Sequence, residues 1–208
     1  MAQDSQICII DDDEAIRESL HLLLFADGLS SCTYESADAF LENDRQEQFD
    51  CMLLDIRMPG TDGLELFSIL KQEQLQYPVI FITGHGDIPL AVSAIKLGAY
   101  DFLTKPFMEG ELLAKVHAAI EHNRSTREQS QEEFELRARV DSCTPREHDV
   151  MRLLVSGLPN KGIAETLGIS PRTVENHRAH VMEKMQATSL PDLVRMVMQP
   201  YFSNFLDP

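Results

Sequence analysis

The stretch Cys51-Met52-Leu53-Leu54-Asp55-Ile56-Arg57-Met58-Pro59-Gly60 joins a short apolar run, a carboxylate and a turn. Four to eight apolar residues followed by Pro-Gly turn chemistry predict a buried strand that ends near Asp55. A carboxylate at the end of a parallel strand would lie at the edge where open α/β sheets bind ligands. Alternatively, Asp55 only caps the following turn, and this stretch alone leaves both interpretations open.

Three other short apolar runs, at residues 7–10, 79–82 and 100–103, and a weaker strand at residues 30–34 surround this stretch. They alternate with segments of helical periodicity, the last of which covers residues 111–123. This alternation predicts an α/β domain over residues 1–123, with a five-stranded, parallel, doubly wound sheet. Because the strands are almost entirely apolar, we expect helices on both faces of the sheet.

The remainder of the chain has a purely helical pattern. Thr144-Pro145-Arg146-Glu147 predicts a helix start with a capping box. The turn Gly168-Ile169-Ser170 separates two further helices, as in a helix-turn-helix, and a fourth helix follows. An all-α helix-turn-helix domain is therefore predicted over residues 143–208. The polar residues 124–142 between the domains are compatible with a helical linker, and disorder is the alternative.

Charge divides the chain in the same way. The formal net charge of −16 is concentrated in residues 1–123, which hold 22 acidic and 7 basic residues, whereas residues 143–208 hold 7 of each. Such asymmetry suggests two domains with different partners. The first domain would repel polyanions, and the second would neither repel nor strongly attract them.

Several classes of protein are excluded by composition and pattern. No apolar run approaches the roughly 18 residues of a membrane-spanning helix, and the amino terminus lacks the basic region of a secretory signal. We therefore expect a cytoplasmic protein. Cys8, Cys32, Cys51 and Cys143 are far apart in the sequence, which favours free thiols over disulfides or zinc ligands.

Polar residues follow the predicted strands at a shared edge of the sheet, where sequence-distant groups converge. They are Asp11 and Asp12 after the first strand, Asp55, Thr83 and Lys105. Three neighbouring carboxylates need a cation, and oxygen ligands favour Mg²⁺. A lysine and a hydroxyl suit a phosphoryl group, and aspartate can form an aspartyl-phosphate. Individually, each residue could instead serve as a cap, a turn residue or a solvated charge.

Residues 5–123 resemble the receiver domain of response regulators, which has a flavodoxin-like fold. Asp11-Asp12, Asp55, Thr83 and Lys105-Pro106 match its acid pair, phosphoacceptor, switch hydroxyl and Lys-Pro, and Phe102 matches its switch aromatic. The stretches from Thr83 to Pro89 and from Asp101 to Phe107 are typical of the FixJ branch.

The receiver resemblance also implies a mechanism. A histidine kinase would phosphorylate Asp55, and Lys105 and Thr83 would then contact the phosphoryl group. The implied Mg²⁺ ligands are Asp12, Asp55 and the main-chain oxygen of Arg57, with Asp11 acting mainly through water. Phe102 would then turn inward and alter a dimerisation surface. An alternative is a haloacid-dehalogenase-like phosphatase, because Asp11-Asp12-Asp13 contains Asp-x-Asp, but this alternative leaves Asp55 unexplained.

The predicted helix from Pro171 to Met185 would be the recognition helix of the helix-turn-helix, which lies in the major groove of DNA. Asparagine can pair with adenine, glutamate can accept from cytosine, and basic residues hold phosphates. Because residues 143–208 have no net charge, a second interpretation stays open, in which a receiver controls a protein- or RNA-binding helical module.

The segments 144–147, 157–164 and 167–177 are similar to the LuxR-type DNA-binding domain, which covers about residues 140–200. The resemblance implies base contacts by Glu175, Asn176 and Ala179. It implies phosphate contacts by Lys161, Arg172, Thr173, Arg178 and Lys184. In two departures from the family pattern, Cys143 stands where leucine is usual, and Gly162 lies inside the scaffold helix.

Together the two resemblances imply a two-component response regulator of the FixJ/NarL type, which is not an enzyme apart from self-catalysed phosphoryl transfer to Asp55. The implied partners are a sensor histidine kinase, promoter DNA and RNA polymerase. Phosphorylation would favour a homodimer, and pairing would strengthen DNA binding through effective concentration. The expected outcome is activation of transcription.

Overall fold

Five short strands form one parallel sheet in the computed structural model, which describes residues 5–43, 48–73, 77–84, 88–199 and Phe202. The strands are β1 (Gln6–Ile10), β2 (Ser30–Tyr34), β3 (Cys51–Asp55), β4 (Val79–Thr83) and β5 (Asp101–Thr104). Their order in the sheet is β2-β1-β3-β4-β5. This arrangement confirms the predicted parallel, flavodoxin-like sheet, and it makes β3 the central strand.

The register brings the carboxyl ends of the strands to one edge. Leu54 pairs with Ile10 of β1, and Asp55 pairs with Ile82 of β4. Thr83, the last residue of β4, pairs with Thr104 of β5. The residues that close or follow these four strands therefore meet at the same edge, as parallel topology requires.

Helices cover both faces of the sheet, as the apolar strands predict. The helices are α1 (Glu14–Ala26), α2 (Ala37–Glu42), α3 (Gly63–Gln72), α4 (Ile88–Lys96) and α5 (Glu109–Asp141). Alternate strand residues belong to two core clusters, one containing Met52 and Leu54 and the other containing Cys51 and Leu53. Every residue of β3 is buried, so this strand supplies apolar side chains to both faces.

Helix α5 differs from its predicted extent. The sequence predicted a helix ending near residue 123 and a helical linker over residues 124–142, whereas one continuous helix runs to Asp141. Ion pairs between residues four apart, such as Arg137 with Glu133, support the polar segment. In this segment Leu136 and Val140 are buried in the core of the second unit, which supplies the packing that periodicity did not reveal. Two compact units divide at residues 127 and 128.

The second unit is helical, as predicted. It contains α6 (Pro145–Val155), α7 (Asn160–Leu167), α8 (Pro171–Lys184) and α9 (Leu190–Val197). The Thr144 side chain and Glu147 form the predicted capping box of α6, and the Ser170 hydroxyl caps α8. Gly168 ends α7 with φ of 64°, a left-handed conformation that glycine adopts without strain. α7 and α8 therefore form a helix-turn-helix.

All four cysteines are free thiols, as expected. Cys8, Cys51 and Cys143 are buried, and Cys32 is half-buried. In the part of the chain that the structure describes, no helix combines the length and apolarity needed to cross a membrane. Residues 85–87, in the segment that resembles the FixJ branch, lie outside the described residues.

Candidate phosphoacceptor site and nucleic-acid interface

Asp55 closes the central strand β3, and the first acidic residues after β1 lie beside it. Ligand oxygens of Asp11, Asp12 and Asp55 all lie within 4.8 Å of one another. Asp11 and Asp55 are buried, with exposed fractions of 1% and 7%, and Asp12 is exposed. The cluster thus has two buried carboxylates and one that solvent can reach. Arg57, whose main-chain oxygen was predicted as a ligand, follows two residues after Asp55 and has an exposed side chain.

Lys105 and Thr83 complete this edge of the sheet. The Lys105 Nζ lies 2.7 Å from Asp11 Oδ2 and 3.6 Å from Asp55 Oδ2. Thr83 is fully buried, and its hydroxyl donates to the main-chain oxygen of Gly84 at 3.3 Å. Phe102 is half-buried and packs against the core cluster of the sheet. The lysine is therefore shared unequally between two carboxylates, with Asp11 holding it more closely.

Burial is the main influence on the ionisation of Asp55. It raises the pKa of the Asp55 carboxyl, which Lys105 opposes and which Asp11 and Asp12 reinforce, so that the pKa reaches about 6. The single lysine does not compensate for burial and two neighbouring acids. An added cation would stabilise the ionised cluster, and oxygen-only ligation suits Mg²⁺.

The role of Gly63 was not predicted from the sequence. A Cβ built at Gly63 would lie 2.1 Å from the main-chain oxygen of Asp55, and the Gly63 amide donates to the main-chain oxygen of Ile56 at 3.0 Å. Because no side chain fits there, glycine lets α3 begin directly against the end of β3. A glycine at the start of an apolar helical segment was the only sequence signal.

Asp13, the third acid after β1, has a local structural role. Its side chain accepts from the amides of Ala15 and Ile16 at 2.9 and 3.4 Å, so it caps α1. The amide of Asp13 itself donates to Asp11 Oδ1 at 2.9 Å. The two acids of the Asp-x-Asp pattern therefore have different roles: Asp11 belongs to the carboxylate cluster, and Asp13 caps α1.

The recognition helix α8 exposes its three predicted base-contact residues on one face. Glu175, Asn176 and Ala179 are exposed, and Val174 and Val181 of the same helix are fully buried. The predicted phosphate-contact residues vary more in their surroundings. Lys161 and Arg172 are exposed, Thr173 is half-buried beside the Ser170 hydroxyl at 2.8 Å, and Arg178 donates to Asn160 Oδ1 at 3.3 Å.

Lys184, at the carboxyl end of α8, is paired with an acid of α6. Its Nζ lies 2.7 Å from Glu147 Oε2 and 3.0 Å from the main-chain oxygen of Ser142. Glu147 is 4% exposed, and its Oε1 is 3.5 Å from His180 Nδ1. Burial alone would raise the pKa of Glu147, but hydrogen bonds from Lys184 and Thr144 hold it at about 2. The sequence predicted Glu147 as a capping residue and did not reveal its ion pair.

Two protein families match the chain in succession. The family described as "Response regulator receiver domain" matches residues 7–117. The family described as "Bacterial regulatory proteins, luxR family" matches residues 141–197. The second match supports a DNA-binding domain over the protein- or RNA-binding module, and the first supports a receiver over a phosphatase.

Relatives match this chain over nearly its whole length. The transcriptional regulatory protein FixJ of Bradyrhizobium diazoefficiens is 46% identical over 199 residues, which are 96% of this chain and 97% of that protein. A structure of response regulator StyR has a TM-score of 0.86 at 40% identity and covers 94% of this chain and 98% of its own. A structure of full-length FixJ from B. japonicum has a TM-score of 0.62 at 46% identity and covers 95% of this chain and 97% of its own.

A receiver domain followed by a LuxR-type domain implies a sensor kinase and DNA as partners. The carboxylate cluster lies in the receiver, and the helix-turn-helix lies in the LuxR-type domain. The chain therefore belongs to the FixJ/NarL-type response regulators, which regulate transcription.

Proposed function

We propose that Asp55 accepts a phosphoryl group from a sensor histidine kinase and that this modification controls DNA binding by the second domain. The observation that carries the proposal is the cluster itself: Asp55 lies beside two acids, and Lys105 Nζ is 3.6 Å from its carboxylate. Its raised pKa supports the same role, because a carboxylate without full compensation is available for a new interaction.

The transfer is self-catalysed in this proposal. An Asp55 carboxylate oxygen attacks the phosphorus of a phosphohistidine, a P–O bond forms, and the P–N bond to the histidine breaks. Lys105 then pairs with an oxygen of the transferred group, which requires it to loosen its contact with Asp11. Thr83 donates its hydroxyl to another oxygen after leaving the main-chain oxygen of Gly84. Phe102 turns further inward as the switch aromatic.

Mg²⁺ is the proposed cofactor. Asp12, Asp55 and the main-chain oxygen of Arg57 would hold it, with Asp11 acting mainly through water. The donor set supports this assignment, because the three carboxylates approach within 4.8 Å and one lysine does not compensate for them. When bound, the ion supplies positive charge that neutralises the acids and the phosphoryl oxygens.

The proposed DNA interface is the exposed face of α8. Glu175, Asn176 and Ala179 would contact base edges, and phosphates would be held by Lys161, Arg172, Thr173 and Arg178. Their exposure or half-burial supports this assignment. The assignment of Lys184 to a phosphate stays a prediction, because its ammonium is already paired with Glu147.

We further propose a cytoplasmic activator that dimerises on phosphorylation and contacts RNA polymerase. A dimer suits a DNA-binding domain without net positive charge, because two linked half-sites multiply affinity. Residues 1–123 would be the receiver, 124–142 the linker and 143–208 the DNA-binding domain.

The test is selection from a random duplex DNA pool, followed by anisotropy titrations of the selected DNA with and without acetyl phosphate. The phosphodonor should increase affinity and produce a dimer in sedimentation. Asp55→Asn should abolish both responses, while Glu42→Gln, an exposed carboxylate change on α2, should keep them. If no duplex is enriched in either state, the DNA-binding proposal fails, and if Asp55→Asn still responds, the acceptor is wrong.

A further inference from the structure

Arg17 of α1 reaches back to the loop between β1 and α1, which carries the first acids of the carboxylate cluster. Its Nη1 donates to the main-chain oxygen of Asp11 at 2.7 Å, and its side chain is half-buried. Side chains on a helix are tilted toward the amino terminus, so a residue in the first turn of α1 can reach the loop before it. Arg17 therefore contacts the main chain of the cluster, and the proposed phosphoryl transfer gives it no role.

Every oxygen of Asp11 accepts a hydrogen bond. Oδ1 accepts from the amide of Asp13 at 2.9 Å, Oδ2 accepts from Lys105 Nζ at 2.7 Å, and the main-chain oxygen accepts from Arg17. The amide of Asp11 donates to the main-chain oxygen of Tyr34 at 3.3 Å. Because Asp11 is buried, water does not readily replace a donor that is lost. Asp11 is therefore fixed through both its main chain and its side chain.

Two of these contacts hold the peptide units on either side of Asp12. The planar unit between Asp11 and Asp12 contains the oxygen that accepts from Arg17. The unit between Asp12 and Asp13 contains the amide that donates to Asp11 Oδ1. The two soft main-chain torsions of Asp12 lie between these planes, so the orientations of the planes set the direction of its Cβ. Because the Asp12 side chain is exposed, its placement depends on this main chain.

The charge of Arg17 and its hydrogen bond would affect a bound cation in opposite directions. A guanidinium close to the carboxylates repels a divalent cation, so its charge alone would weaken Mg²⁺ binding. Its hydrogen bond would strengthen Mg²⁺ binding if that bond keeps a carboxylate ligand in place. Replacement of Arg17 therefore changes the Mg²⁺ affinity in a direction that tells which of the two effects is larger.

We infer that Arg17 is a positioning residue of the phosphoacceptor site, which directs the Asp12 carboxylate toward Mg²⁺ by holding the main-chain oxygen of Asp11. This role rests on the proposed function, in which Asp12 is a ligand of the ion. Arg17 acts through the main chain and is not itself a ligand. Without its hydrogen bond the peptide unit before Asp12 rotates more freely, so Mg²⁺ binding has to order the loop and becomes weaker.

The test is a titration of the ¹⁵N-labelled full-length chain with MgCl₂, without a phosphodonor, followed by NMR. Arg17→Met keeps an unbranched side chain and removes the donor. It should lower the Mg²⁺ affinity about fivefold, which corresponds to the net contribution of one hydrogen bond. Lys96→Gln removes an exposed positive charge on α4 and should change the affinity less than about twofold, because salt screens distant charges. In metal-free buffer, the amide of Asp13 should exchange faster in Arg17→Met than in the wild type.

A double-mutant cycle with Asp12→Asn distinguishes positioning from a general structural role. If Arg17 acts through Asp12, Arg17→Met should have little further effect on Mg²⁺ affinity once Asp12 is replaced. An undiminished effect in that background would overturn the positioning role. Equal or tighter Mg²⁺ binding by Arg17→Met would also overturn it, while the proposed cofactor would stand because the wild type binds the ion. If the wild type shows no saturable Mg²⁺ binding, the proposed cofactor is wrong and the role of Arg17 fails with it.

Discussion

Each unit of the molecule places a buried carboxylate opposite a lysine, but the two pairs differ in how completely the charge is compensated. In the second unit, Glu147 Oε2 is 2.7 Å from Lys184 Nζ and also accepts from the amide of Thr144. In the receiver, Asp55 is 3.6 Å from Lys105, which lies closer to Asp11. The pKa falls to about 2 for Glu147 and rises to about 6 for Asp55.

This difference separates a structural carboxylate from a reactive one. Glu147 accepts from Thr144, the N-cap residue of α6, and from Lys184 of α8, so it links the recognition helix to the scaffold. Asp55 has too little positive charge around it, so binding of Mg²⁺ would stabilise its ionised form. The same incomplete compensation leaves the carboxylate available for phosphoryl transfer. The same pair of residue types therefore serves two purposes, and the neighbouring charges decide which.

The largest expected effect is on the structural pair. Glu147→Gln should lower the free energy of unfolding of the second unit by about 3 kcal/mol, because it leaves Lys184 without its buried partner. Hydrogen exchange by mass spectrometry on peptides of α6 and α8 measures this loss. Glu183→Gln, a substitution of an exposed residue on α8, should leave the free energy of unfolding within about 0.5 kcal/mol of the wild-type value. Equal effects of the two variants would show that the ion pair of Glu147 does not stabilise the second unit.

Asp55→Asn should change the free energy of unfolding in the opposite direction. In metal-free buffer at pH 7 it should stabilise the receiver by roughly 2 kcal/mol, because a neutral amide removes the cost of burying a charge and the repulsion from Asp11 and Asp12. Hydrogen exchange on peptides of β3 and β4 provides the measurement. Addition of Mg²⁺ should reduce the advantage by stabilising the wild type. A destabilised Asp55→Asn receiver would show that the Asp55 carboxylate is already compensated in the native fold.

The shifted pKa values of the two carboxylates predict that the stabilities of the two units depend on pH in opposite directions. The folded pKa of Asp55, about 6, exceeds its usual 3.8, so receiver stability should fall as pH rises from about 4 to about 6. The folded pKa of Glu147, about 2, is below its usual 4.5, so its contribution should be present above about 4.5 and lost as pH falls towards 2. Comparing Asp55→Asn and Glu147→Gln with wild type at each pH isolates the two contributions. If the differences do not vary with pH, these ionisations are not coupled to folding.

A smaller effect concerns the lysines of the DNA-binding domain. Lys161→Gln should reduce the slope of log affinity against log salt concentration by about 1, because an exposed phosphate contact is lost. Lys184→Gln should weaken binding without changing the slope, since its ammonium is held by Glu147. Anisotropy titrations at several salt concentrations decide between these roles. A reduced slope for Lys184→Gln would instead support its predicted phosphate contact.

The sequence predicted those features that depend on local pattern. The apolar run and its Pro-Gly turn predicted Asp55 at a sheet edge, and parallel topology predicted Asp11 and Lys105 beside it. The tight approach of Gly63 to the Asp55 main chain was not predictable, because it depends on how α3 docks against β3. The pairing of Glu147 with Lys184 also required the packing of α6 on α8, since 37 residues separate them.

Helix α5 and Asn123 illustrate the same limit. The polar segment after residue 123 was predicted to be a helical linker, but its weak apolar periodicity did not reveal that Leu136 and Val140 are buried in the second unit. Asn123 was interpreted only as the end of a helix. Its burial depends on contacts with Phe49 and Asp50, which are distant in sequence.

The central claim is that Asp55, the incompletely compensated carboxylate, is the phosphoryl acceptor. The most direct measurement is incubation with acetyl phosphate and Mg²⁺, borohydride trapping, and peptide mass spectrometry. The account predicts one modified residue, Asp55, with labelling that requires Mg²⁺ and is absent from Asp55→Asn. Labelling of Asp55→Asn to the wild-type extent, or of another residue in the wild type, would contradict it.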